Sequence, residues 1–142
     1  MRKVVFVIIV FMLSLLFNSC VVKLTTIRPT LITTITVEKI AIGDTIELHR
    51  DENDETDWLM DDLVFQMEQN FKAIGNCGEN EEHLYDARYF MGERLELDVI
   101  INTDDSVCKN GRRYVQKEDS SPLNRSVNLE QWEQCFTTHK AQ

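Results

Sequence analysis

The chain has 142 residues, 43% of them hydrophobic, which suits one domain around one modest core. Its 24 acidic residues outnumber 15 basic ones, for a formal net charge of -9, so the surface as a whole repels nucleic acid and is not drawn to anionic lipid. A function on either would need a local basic patch, and the best in the sequence is "KNGRRY", Lys109 to Tyr114, which reads first as a hairpin turn with solvated arginines.

In chain order, residues 1–20 have the layout of a secretory signal peptide. Arg2 and Lys3 precede an apolar run from Val4 to Phe17, broken only by Ser14, and small polar residues follow. As a helix the run reaches roughly 21 Å at ~1.5 Å per residue, short of the ~30 Å hydrocarbon core of a bilayer. Ser19 suits a position just before a cut, but Phe17 two positions earlier is not small. The alternative reading of "FNSC" is a bacterial lipoprotein signal acylated on Cys20, with Phe17 a poor substitute for the usual leucine.

Residues 21–29 read as a short N-terminal segment, 30–136 as the folded domain and 137–142 as a tail. Apolar residues recur at every second position in several runs of the domain. Leu31, Ile35 and Val37 share one face of "TLITTITVEKI", and Ile46 and Leu48 one face of "DTIELHR". In "RLELDVII", Leu95, Leu97, Val99 and Ile101 alternate with mostly polar residues, and "RRYVQK" and "SVNLEQW" follow, bounded by the turn formers "KNG" and "SSP". With one apolar face per strand, two sheets should cover each other: an all-β sandwich of about seven strands. "DWLMDDLVFQMEQNF" is ambiguous. It alternates through Leu63, Phe65, Met67 and Phe71, yet its Leu, Met, Gln and Glu content equally permits a helix. "ENEEHLYDAR" reads as a short helical turn started by Asn80.

The acidic stretch after His49 places Asp51, Asn53, Glu55, Asp57 and Asp62 at positions 1, 3, 5, 7 and 12 of a twelve-residue window, the oxygen spacing of an EF-hand. Position 6 is Thr56 where the sharp turn wants Gly, and the setting lacks flanking helices, so a hydrated loop that keeps a sheet edge from pairing is preferred over calcium. His49, His83 and His139 are scattered without metal spacing, and no phosphate loop or nucleophile elbow appears. The adjacent pairs Asp61–Asp62 and Glu81–Glu82 read as solvated surface rather than as acid and base, so neither catalysis nor a cofactor is expected. Asn124 opens the sequon "NRS", an N-glycosylation acceptor on a eukaryotic secretory route.

The order of these pieces resembles the transthyretin-like family of secreted nematode proteins, over about Thr30 to Cys135. Asp51, Asp54, Asp61 and Asp62 stand in the family's acidic turn, and Asn70 and Phe71 in a turn before a phenylalanine strand. Leu97, Val99, Asp104, Cys108, Arg113 and Tyr114 stand in a strand followed by a cysteine-bearing connection and basic, aromatic residues. The glycine usual after the turn Asn is missing, and extra residues fill "NCGENEEHLYDARYFMG". The resemblance implies a transthyretin-like, immunoglobulin-like sandwich and favours strand over helix for Leu63 to Met67. It also implies a disulfide between Cys108 and Cys135, because the two other cysteines common in the family are absent here. Cys77 is then left as a buried thiol or as a bridge to a second chain in a dimer. The fold's hydrolase branch needs core histidines and a "YRGS" terminus, and this chain ends in "THKAQ". The resemblance therefore points to a secreted, non-catalytic binding or signalling module acting on an extracellular protein or lipid. The alternatives are a carrier of a small hydrophobic ligand and a lipoprotein anchored through Cys20.

Overall fold

The computed structural model describes residues 2–18, 21–78, 83–117 and 127–140. Helix α1 spans Arg2–Asn18, and the strands are β1 Val21–Val22, β2 Thr34–Lys39, β3 Asp44–His49, β4 Phe71–Asn76, β5 His83–Met91, β6 Arg94–Asn102, β7 Val107–Lys109 and β8 Arg112–Gln116. Helix α2, Asp54–Met67, lies between β3 and β4, and helix α3 is Leu129–Lys140.

The protein is mostly β, and every strand pairing is antiparallel. All eight described strands join one sheet in the order β1-β4-β8-β7-β6-β5-β2-β3, where the alternation suggested two facing sheets. The apolar faces of the strands are covered by helices instead. Ile35 and Val37 of β2, Tyr85, Ala87 and Tyr89 of β5, and Leu97, Val99 and Ile101 of β6 form one cluster with Met60, Leu63, Val64 and Met67 of α2 and Trp132 and Phe136 of α3.

Two segments expected as strands are these helices, for reasons present in the sequence. At the start of α2 the Asn53 side chain accepts a hydrogen bond from the Thr56 amide at 2.8 Å, and Asp54, Glu55 and Asp57 sit in the first turn, where the helix dipole favours negative charge. Met60, Leu63, Val64 and Met67 then fall at i, i+3, i+4 and i+7, a single helical stripe that is fully buried. The period-two pattern in the same residues required Phe65 to point inward with Leu63 and Met67, and Phe65 lies at the surface. "VNLEQW" is likewise the start of α3. Asn128 accepts from the Gln131 amide through its side chain at 3.3 Å and from the Trp132 amide through its carbonyl at 3.2 Å. Residues 83–91 are strand β5 rather than a helical turn, while residues 79–82 of that expectation lie outside the described residues.

None of the described side chains of helix α1 joins the core. Its described side chains from Val4 to Phe11 are all exposed, with Phe6 at 69%. No helix among the described residues is long and apolar enough to cross a membrane.

Candidate functional site

The N-terminal turns of α2 and one side of α3 line a cleft of about 290 Å³, with Asn53, Glu55 and Leu59 on one wall and Gln134, Cys135 and His139 on the other. The same stripe that buries α2 fixes this geometry, since a helix whose apolar residues face the sheet turns its capping residues toward α3. Cys135 and His139 lie one helical turn apart and share a face. The His139 ring donates from Nδ1 to the Cys135 carbonyl at 2.9 Å, which leaves Nε2 as the acceptor nitrogen of the neutral ring. Burial pushes the Cys135 thiol up to about 12, so it stays protonated near neutral pH and is a poor nucleophile. The cleft therefore offers hydrogen-bonding groups over a small apolar floor, an arrangement suited to binding.

Behind the cleft a buried polar spine locks α2 to α3. Gln66, almost wholly buried, donates from Nε2 to Gln131 Oε1 at 2.6 Å and accepts at Oε1 from the Trp132 indole at 3.0 Å. Gln131 in turn donates to Asp62 at 2.5 Å. At the other side of α3, Glu133 accepts from both Tyr85 and Lys39, and these bonds hold its carboxyl below the usual range. Lys39 and Lys140 each lie over the Phe136 ring, at 5.8 and 5.7 Å from its centroid.

The residues singled out in the sequence fall into separate places. Cys108 is bonded to Cys77, with Cα atoms 6.1 Å apart, and Cys135 is a buried free thiol. The expected Cys108–Cys135 pairing is thereby corrected, and so is the expectation that Cys77 is left over. The reason is topological: β4 and β7 both flank β8, which brings Cys77 at the end of β4 beside Cys108, while α3 carries Cys135 into the core. A polar network surrounds the bridge. His83 donates from Nδ1 to Asn102 at 2.7 Å, and the fully buried Asn102 amide reaches Ser106 at 2.9 Å and the Cys108 sulfur at 3.2 Å. Asp104 accepts from Ser106 and pairs with Arg113, and the Ser106 bonds first hold its carboxyl low.

The acidic stretch is divided among structural tasks. Asn53 caps α2, Asp57 accepts from the Asp51 amide at 2.8 Å, Asp61 pairs with Arg50 at 2.9 Å and Asp62 faces Gln131. No group of three or more metal-ligating side chains converges among the described residues. Asn124 and Cys20 lie outside the described residues.

Sequence reasoning did not single out the cleft. Its signal was available as Asn53 followed by three acids and then the 60, 63, 64, 67 spacing, a helix start that places the cap of α2 at a defined point. No family model, curated protein or solved structure matches this chain.

Proposed function

We propose that the protein is an exported, non-catalytic binding module that works in an oxidising compartment, in extracellular fluid or at a cell surface. The observation that carries this reading is α1, a helix whose described apolar side chains, Val4 to Phe11, are all exposed and lie outside the core, which is the behaviour of a segment meant for a translocation channel or a membrane. The Cys77–Cys108 bridge supports it, because such bonds form and persist outside the reducing cytosol. Binding is favoured over catalysis by the protonated state of Cys135 and by the polar lining of the cleft.

A second version, retention at the membrane through an acylated Cys20, draws support from the position of β1. The strand starts at Val21, so a lipid on the preceding residue would hold the domain directly against the bilayer. The export reading does not depend on the transthyretin-like resemblance, whose implied two-sheet sandwich, implied strand and implied disulfide all differ from the single sheet, the helix α2 and the Cys77–Cys108 bridge of the structure.

The test is the intact mass of protein from its native host, before and after reduction, with mapping of its N-terminal peptide. A chain lacking residues 1 to about 20 and gaining two hydrogens at Cys77 and Cys108 supports export. Diacylglycerol on Cys20 selects the anchored version. An intact leader with every thiol reduced sinks both.

A further inference from the structure

The cleft between α2 and α3 carries a single carboxylate on its lining, that of Glu55, and no lysine or arginine. Glu55 and Leu59 lie one helical turn apart on α2, and Cys135, Thr138 and His139 fall at i, i+3 and i+4 on α3, so each wall is one face of its helix. Glu55 is exposed and has no ion-pair partner among the described residues. The neighbouring cations are engaged with other acids: Arg50, just before α2, pairs with Asp61, and Lys140, at the end of α3, pairs with Asp44.

The wall formed by α3 is rich in acceptors. Gln134 and Thr138 are exposed and bring an amide oxygen and a hydroxyl. The neutral His139 ring keeps Nε2 as an acceptor, because Nδ1 donates to the Cys135 carbonyl. Thr138 and His139 also stand in the last turn of α3, the negative end of that helix, where carbonyls lack intrahelical partners. The positive end of α2 is already answered by the Asn53 cap and by Asp54, Glu55 and Asp57 in its first turn.

We infer that the cleft is a binding site for a small organic ammonium ion, whose N–H groups donate to Glu55 and to the acceptors of α3 while its apolar body lies against Leu59 and Cys135. The inference rests on the binding reading above and adds the chemical class of the ligand. An anion would be repelled by Glu55 and would meet no lysine or arginine on the lining. A neutral ligand that closed the cleft would strip water from the Glu55 carboxylate without supplying a counter-charge, a cost that a cation offsets. A metal ion would need more ligands than the cleft brings together, since no three ligating side chains converge among the described residues. The volume of about 290 Å³ lies at the foot of the ~300–1,000 Å³ range of small-molecule sites, which selects a compact amine over a peptide or a lipid chain. The net charge of -9 raises the local concentration of such a cation.

Protein as its host processes it is titrated near neutral pH with butylamine and phenethylamine, beside butanol and phenethyl alcohol as neutral probes of the same body. The Leu59 methyl and His139 ring signals are followed by NMR. Both amines should shift these signals and bind about tenfold more tightly than their alcohols, since a hydrogen bond to a charged group contributes more than one between neutral groups. Glu55→Gln should erase that preference, and Glu47→Gln on β3 should leave it intact. Amines that bind no better than their alcohols overturn the inference while leaving the cleft a binding site, as does a preference that survives Glu55→Gln. Signals that no probe moves overturn the inference and the binding role of the cleft together, whereas the export reading stands or falls on the mass measurement.

Discussion

The side-chain oxygen of Gln66 accepts the indole N–H of Trp132 at 3.0 Å, deep between α2 and α3. The same oxygen takes the Asn128 amide at 3.4 Å, so one glutamine serves both the start of α3 and its largest buried side chain. Gln66→Leu keeps the volume but leaves two donors without an acceptor. Because a buried unsatisfied donor costs more than an ordinary hydrogen bond contributes, the substitution should destabilise by about 2–3 kcal/mol in urea unfolding. A loss of under about 0.5 kcal/mol would mean that the two helices are held by apolar packing alone.

The two possible cysteine pairings separate cleanly by mutation. Closing a loop with a sequence separation of 31 residues stabilises by about 3.7 kcal/mol in the chain-entropy model. Cys77→Ser and Cys108→Ser should each lose roughly that amount, whereas Cys135→Ala should lose only about 1 kcal/mol for a small cavity. Equal costs at Cys108 and Cys135, with none at Cys77, would restore the pairing that the family resemblance implied. Thiol titration adds a second readout, since Cys135 should react only after unfolding.

Asp86 on β5 gives the sheet a pH dependence of unusual sign. Burial, then a hydrogen bond and repulsion from Asp98, push its carboxyl up to about 6, and Arg88 offsets this only in part. The folded state therefore holds a proton that the unfolded chain releases nearer pH 4. Its contribution to stability is present below that value and is lost as pH rises through 6. Asp86→Asn should stabilise the protein near pH 7.5 by on the order of 1 kcal/mol, after allowance for solvent, and should have no stabilising effect near pH 4. Guanidinium unfolding of both chains at the two pH values measures the difference, and a gain of equal size at both would point to a cause other than titration.

The strands were legible where one side of the alternation stayed apolar. Ile35 and Val37, Ile46 and Leu48, and Leu97, Val99 and Ile101 are buried as that alternation requires. What covers them was not legible from alternation, because a strand's apolar face accepts a second sheet or a helix equally well. The answer lay in local signals of another kind, the caps at Asn53 and Asn128. The disulfide was hidden for a different reason. Cys77 and Cys108 meet only because β8 lies between β4 and β7, a strand order that residue spacing does not encode. The cleft shares that obscurity, since its walls come from the two helices and meet only when both are seated on the sheet.

Leu63, Phe65 and Met67 decide between helix and strand in solution. A strand places all three on one face, so truncating any of them would cost alike. In α2, Leu63 and Met67 are fully buried, whereas Phe65 is 38% exposed. Leu63 also has a structural partner of its own, because its carbonyl accepts the buried Tyr89 hydroxyl at 3.0 Å. Leu63→Ala and Met67→Ala should each cost about 2–5 kcal/mol by leaving cavities against the sheet, and Phe65→Ala under about 1 kcal/mol. Asn53→Ala should add a loss of about 1 kcal/mol by removing the cap, a cost with no counterpart in a strand. Equal losses at 63, 65 and 67 together with none at 53 would return the segment to the sheet, and with it the second layer of strands that the alternating pattern suggested.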